Sequence, residues 1–335
     1  MARVGIIGGG AFGTAMACVV RRADHDVILW AREPEVVESI NQEGVNAGFL
    51  AGVKLVPGIR ATGNLAESVR DRDFILMAVP AQHVRKVTAE MRGMLERGIP
   101  VVSCSKGIER SSNSFMPEVI AETIPQAVVA VLSGPSFARE IAADMPCGVA
   151  LACADLSVGE LLARQIANPN FCVHYGDDVI GVAIGGVMKN VIAIASGIAA
   201  GRKLGENARA TLITLGSAET TRLGLAKGAR TATFDGLAGI GDLMLTANSL
   251  GSRNTSLGVA LGEGRTLVEV LAERKVVTEG AFSVEAIAAL ARELDVRMPI
   301  TQALDAILNH GADVDTGIAH LMRHTPPFQP LAQAA

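Results

Sequence analysis

The chain has 335 residues, of which 49% are hydrophobic, 19% charged and 3% aromatic. That length suits two domains of roughly 100–200 residues each, and so apolar a composition excludes a disordered or highly charged chain. A net charge of -4 offers no basic field to nucleic acid or an anionic membrane, and a single Trp and a single Tyr argue against a base-stacking surface.

The N-terminus carries the most specific local pattern. Residues 4–7 form a strand-length apolar run that leads into Gly8-Gly9-Gly10-Ala11-Phe12-Gly13 and then a helical pattern over 11–22. This is G-x-G-x-x-G between a strand and a helix. Gly8 permits the tight turn, Gly10 lets the backbone approach a pyrophosphate, Gly13 lets helix and strand pack closely, and Ala11 and Phe12 open the helix facing the phosphates. The uncharged run after Arg3 superficially resembles a secretory signal, but its five glycines suit an apolar helical segment poorly.

A second apolar run, 27–30, follows at βαβ distance. It ends Trp30-Ala31-Arg32, without the acid that usually binds the ribose hydroxyls of NAD. An Arg at this place pairs with a 2′-phosphate, which favours NADP, while the adjacent Glu33 leaves NAD use open. The alternative for Arg32 is a solvated surface charge.

Further strand-length runs cover 74–79, 101–105, 127–132, 149–153 and 171–174. Most are continuously apolar, as in strands buried on both faces of a largely parallel sheet. Helical patterns such as 35–41 and 81–95 lie between them, so the fold class is α/β with a doubly wound sheet. Beyond residue 174 only helical patterns remain: 179–200, 208–223, 266–274, 284–294 and 300–308. The expected division is a dinucleotide-binding domain over 1–178, a helical domain over 179–324 and a loose Pro-containing tail over 325–335. The run 179–201 approaches the length of a membrane span, but Lys189 and Asn190 at its centre argue against one. Five irregularly spaced cysteines without a C-x-x-C pair fit reduced thiols in a cytoplasmic chain, with neither a disulfide framework nor a zinc site.

Ligands of open parallel sheets sit beyond the carboxyl ends of the strands. Lys106 follows the run 101–105, and Gly134 and Ser136 follow 127–132. Lys106 reads equally well as a solvated surface charge or a ligand group. Lys189 is more informative, because apolar residues surround it on nearly every face of its helix. Burial would lower its pKa and let it exchange a proton near neutral pH, as carbonyl reduction by hydride requires; the alternative is a Lys that snorkels to solvent. Asp242, among glycines and apolar residues, is the candidate counter-charge. Residues 251–254, Gly-Ser-Arg-Asn, read as a polar loop whose Arg suits a phosphate, and no metal-ligand cluster stands out.

Together these segments resemble the bacterial NAD(P)-dependent glycerol-3-phosphate dehydrogenase family. The resemblance is carried by GGGAFGTA at 8–15, SKGIE at 105–109, LSGPSFARE at 132–140, VMKNVIAI at 187–194, ENARATLITL at 206–215, LAGIGDLMLT at 237–246 and GSRN at 251–254. It implies reversible reduction of dihydroxyacetone phosphate to sn-glycerol 3-phosphate, for glycerophospholipid synthesis, with NADPH favoured and NADH also usable. It implies a Rossmann-type domain followed by an all-helical domain like that of phosphogluconate dehydrogenase, with a homodimer left open. In it Lys189 corresponds to the general acid/base and Asp242 to its partner. Lys106, Gly134, Ser136, Asn190, Thr246, Ser252, Arg253 and Asn254 correspond to the substrate pocket. Phe12, Arg32, Lys106, Ala138, Arg253, Val277 and Glu279 correspond to cofactor contacts. Gly185-Gly186 departs from the expected bulkier residues and is expected to loosen the helix that bears Lys189. The rival readings are a related dehydrogenase for a hydroxy acid or an acyl-CoA, and a nucleotide-sensing protein without catalysis.

Overall fold

The computed structural model describes residues 1–274 and 278–323. Its eight strands are β1 (Arg3–Ile7), β2 (Asp26–Trp30), β3 (Ile59–Thr62), β4 (Phe74–Met77), β5 (Pro100–Ser103), β6 (Val128–Ser133), β7 (Cys147–Cys153) and β8 (Phe171–Gly176). They form one sheet in the order β3-β2-β1-β4-β5-β6-β7-β8. Every pairing is parallel except β6 with β7.

Alternation along each strand explains the two layers. In β4, Phe74 and Leu76 pack with the helix Ala11–Arg22 on one face, while Ile75 and Met77 pack with the helices Ala81–Met91 and Met116–Thr123 on the other. All four residues are buried, so a run without polar alternation is what a doubly covered strand requires. Seven of the eight strands lie in the apolar runs. The missing one, β3, is a four-residue edge strand with an exposed Arg60, too short and too polar to show in apolar patterning. The pattern 35–41 divides into a helix, Pro34–Glu38, and a wider turn, Ser39–Glu43, closed by Gly44 at φ 64°.

After β8 the chain is helical. The helix Val179–Gly201 is the core of this part, ringed by Glu206–Ala226, Asp242–Asn248, Arg253–Gly262 and Glu279–Glu293. By length and composition it is the one helix among the described residues able to cross a membrane, and 83% of its most apolar window is buried inside the structure. It approaches Arg253–Gly262 very closely. A Cβ on Gly197 would stand 2.2 Å from the Thr255 carbonyl oxygen, and one on Gly258 would stand 2.1 Å from that of Ile194. Small residues at both surfaces thus bring the two backbones together.

Gly185 and Gly186 do not loosen this helix. A Cβ on Gly185 would lie 2.2 Å from the Ala238 carbonyl oxygen, and one on Gly186 would lie 2.6 Å from the Ser133 hydroxyl. The helix runs unbroken through both. The pair lets the helix approach the end of β6 and the turn Leu237–Gly241, where bulkier residues would collide. The tail over 325–335 lies outside the described residues.

Candidate active site

The glycine turn leaves β1 at the carboxyl edge of the sheet. Gly8 has φ +124°, and its N–H donates to the Trp30 carbonyl at 3.0 Å, which ties the turn to β2. A Cβ on Gly13 would sit 1.9 Å from the Gly8 carbonyl oxygen, whereas one on Gly10 would meet nothing within 4 Å. Gly10 is also the N-cap of Ala11–Arg22, and no side chain caps that helix. A crowded Gly8 and Gly13 flanking an open Gly10, before an uncapped helix N-terminus, form a cradle that fits a dinucleotide pyrophosphate. The first turn of Ala138–Ala142 belongs to the same layer, because that helix packs on Ala11–Arg22 and Arg22 donates to the Ile141 and Ala142 carbonyls.

A second group assembles where the sheet meets the helical part. Lys106 follows β5, Gly134 and Ser136 follow β6, Lys189 lies midway along Val179–Gly201, and Asp242 opens Asp242–Asn248. The Lys189 ammonium donates to one Asp242 carboxylate oxygen at 2.5 Å, and Lys106 donates to the other at 2.7 Å. Lys106 also donates to the Gly134 carbonyl at 2.9 Å and the Ser136 hydroxyl at 3.1 Å. The Thr246 hydroxyl donates to Asp242 at 3.3 Å. The Phe12 ring centroid lies 5.8 Å from the Lys106 nitrogen, which joins the glycine turn to this group.

The electrostatics follow from burial. Asp242 is fully buried, while Lys189 and Lys106 are 11% and 15% exposed. Burial raises the Asp242 pKa, but the two ammonium groups outweigh it and hold the carboxyl below its ordinary value. Burial lowers Lys189 to about 8, with Asp242 opposing the shift and Lys106 reinforcing it. One carboxylate shared by two ammoniums leaves an excess positive charge facing the site, which suits an anionic ligand. It also leaves Lys189 able to give up a proton near neutral pH.

The periphery is bonded to this group. Asn190 donates to the Lys106 carbonyl at 3.2 Å, and its own side-chain oxygen accepts from Asn254 at 2.8 Å. Asn254 in turn accepts the Gly280 N–H at 3.1 Å. Residues 251–254 are not the expected loop. Ser252 is an N-cap that accepts the Thr255 N–H, so Arg253 and Asn254 stand in the first turn of Arg253–Gly262. A Ser followed by helix-forming residues is a start signal, and it could have been read from the sequence. Burial lowers the Arg253 pKa, against the attraction of Glu279. Burial raises that of Glu279, whose carboxylate accepts the Ala81 N–H at 3.0 Å and so ties the helical part to Pro80.

Other expected residues stand apart. Arg32 is largely exposed and pairs with Glu33 at 2.8 Å, directly after Trp30 and Ala31, which border the glycine turn. Val277 lies outside the described residues. The bond between Lys106 and Asp242 had no signal in the sequence, since 136 residues separate the two.

Comparison with known proteins agrees over both parts. The family model for the NAD-dependent glycerol-3-phosphate dehydrogenase N-terminus matches residues 3–159, and that for the C-terminus matches 178–319. The chain is 50% identical to the glycerol-3-phosphate dehydrogenase (NAD(P)+) of Parvibaculum lavamentivorans, over 98% of this chain and 97% of that one. It is 49% identical to the protein of that name from Caulobacter vibrioides, over 98% and 99%. Its structure resembles the crystal structure of glycerol-3-phosphate dehydrogenase from Coxiella burnetii, with a TM-score of 0.92 and 35% identity over 96% and 99% of the two chains. Since the matches span both the sheet and the helices that complete the site, the chain belongs to the NAD-dependent glycerol-3-phosphate dehydrogenase family.

Proposed function

We propose that the chain catalyses the reversible reduction of dihydroxyacetone phosphate to sn-glycerol 3-phosphate, with NADPH preferred over NADH, in the cytoplasm and in support of glycerophospholipid synthesis. The supporting observation is the buried Lys189, held 2.5 Å from Asp242 and with its pKa lowered by burial to about 8. When the dinucleotide is bound with its pyrophosphate on the Gly8–Gly13 turn, its reduced nicotinamide, near Pro80 and the end of β5, supplies the hydride.

The other steps belong to this chain's side chains. Lys189 gives a proton from its Nζ to the carbonyl oxygen as negative charge develops there, and takes one back in the reverse reaction. Asp242 orients Lys189 and Lys106 through its two oxygens. Arg253, at the N-terminus of a helix with Ser252 and Asn254, holds the substrate phosphate, whose charge both the guanidinium and the helix dipole favour. Asn190, Thr246, Gly134 and Ser136 complete the pocket around the substrate hydroxyls. Arg32 favours the 2′-phosphate of NADP once it exchanges its Glu33 partner. The working division places cofactor binding in residues 1–178 and substrate binding chiefly in 179–324.

The decisive assay mixes the protein, dihydroxyacetone phosphate and either reduced cofactor, and follows cofactor absorbance. Consumption that is faster with NADPH is expected. No turnover from protein whose circular dichroism shows a folded chain would overturn the reading.

A further inference from the structure

We propose that Asn46 is a positioning residue of the dinucleotide turn: from inside the protein it holds the Gly9 carbonyl and thereby aims the Gly10 N–H outward, at the pyrophosphate. The inference rests on reading that turn as the cofactor site.

Asn46 is fully buried, far along the chain from the turn it touches. Its side-chain amide donates to the Gly9 carbonyl at 2.8 Å and to the Thr14 hydroxyl at 2.7 Å, while its oxygen accepts the Phe49 N–H at 3.0 Å. The Phe49 N–H can only donate and the Gly9 carbonyl can only accept, so these partners leave one orientation for the amide. Both amide hydrogens are then used. The segment that carries Asn46 is anchored in turn. Leu55 donates to the Gly44 carbonyl at 2.9 Å, Val45 bridges to Lys54, and Leu50 and Val53 are buried in the core against Ala11–Arg22.

In a planar trans peptide the carbonyl and the following N–H point in opposite directions. Fixing the Gly9 carbonyl toward Asn46 therefore turns the Gly10 N–H to the opposite side, away from the buried amide. Glycine peptides rotate easily, so a turn of three successive glycines has little of its own to hold this orientation. Asn46 supplies the constraint before the ligand arrives and lowers the ordering cost of binding. Its bond to Thr14 ties the same amide to the second turn of the helix, but does not set the Gly9 peptide.

The test compares N46A, which removes the bonds to Gly9, Thr14 and Phe49 together, with Thr14→Val, which removes only the Thr14 bond from the same buried site. Affinity for NADPH without substrate is read from cofactor fluorescence, and the unfolding temperature is read without cofactor. The expected result is an NADPH Kd raised roughly tenfold or more in N46A, the scale of one lost hydrogen bond, and changed less than about twofold in Thr14→Val, although both lose unfolding temperature. The role of Asn46 is overturned if N46A binds NADPH like the parent, or if the two variants lose affinity equally. A folded parent that binds no NADPH overturns the dinucleotide reading of the turn, and this proposal with it.

Discussion

The two halves of the site are built from different materials. The cofactor cradle is backbone: three glycines within six residues of one another, a helix N-terminus and a single amide from Asn46. The proton-transfer group is side chains: Lys106, Lys189 and Asp242, drawn from three distant stretches and closed around one fully buried carboxylate. A backbone site works through shape, so it tolerates no added atoms at a crowded or ligand-facing position. A side-chain site works through charge in a place sheltered from water, where one missing partner leaves the others uncompensated. Contiguity in sequence and dependence on tertiary structure therefore run in opposite directions across the active site.

Substitutions can break this contrast, and the largest effect is expected at the side-chain half. Lys189→Ala should lower kcat by about 10²–10⁴-fold, the usual worth of a positioned proton donor, while NADPH affinity stays near that of the parent. Near-normal turnover would remove Lys189 from the chemistry, and loss of NADPH binding would show that the halves are not separable.

The converse change is Gly10→Ala. A methyl group there meets no protein atom within 4 Å, and at the Gly10 φ of -70° the roughly 0.4–1 kcal/mol by which Ala restricts the unfolded chain offsets most of its weaker N-capping. The unfolding temperature should hardly move, yet the NADPH Kd should rise roughly tenfold or more, because the methyl fills the space of the pyrophosphate. An unchanged Kd in titrations would place the cofactor elsewhere.

The smallest effect is a pH dependence with opposite signs in the two directions. Reduction needs the Lys189 ammonium, so its rate should fall as pH rises through about 8. Oxidation needs the neutral amine, so its rate should rise through the same value and then level off. Asp242 lies below its ordinary carboxylate range and stays ionised throughout. Initial rates in both directions, at saturating substrates, would show parallel rather than opposed profiles if Lys189 were a spectator.

Legibility in the sequence followed the same divide. The strand–turn–helix at the N-terminus and seven of eight strands were readable, because each depends on neighbours in the chain and on burial on two faces. The short edge strand β3 was not, since an exposed four-residue strand has no apolar signature. Residues 251–254 read as a loop because Arg and Asn are polar, although Ser252 caps a helix whose glycines let it lie against Val179–Gly201. Gly185 and Gly186 looked like a weakness in the helix bearing Lys189, and are the space into which Ala238 and Ser133 fit.

The amino-acid sequence alone determined the doubly wound sheet, the glycine cradle and the identity of a lysine embedded in apolar helix. Those properties arise from periodicity and from steric demands within a few residues. Tertiary structure alone decided that Lys106 and Lys189 share Asp242, that Glu279 reaches back to the Ala81 N–H, and that Asn46 lies beneath the glycine turn. Each of these joins groups far apart in the chain, and such a contact exists only once packing has removed water from between its partners and made an unpaired buried polar atom costly.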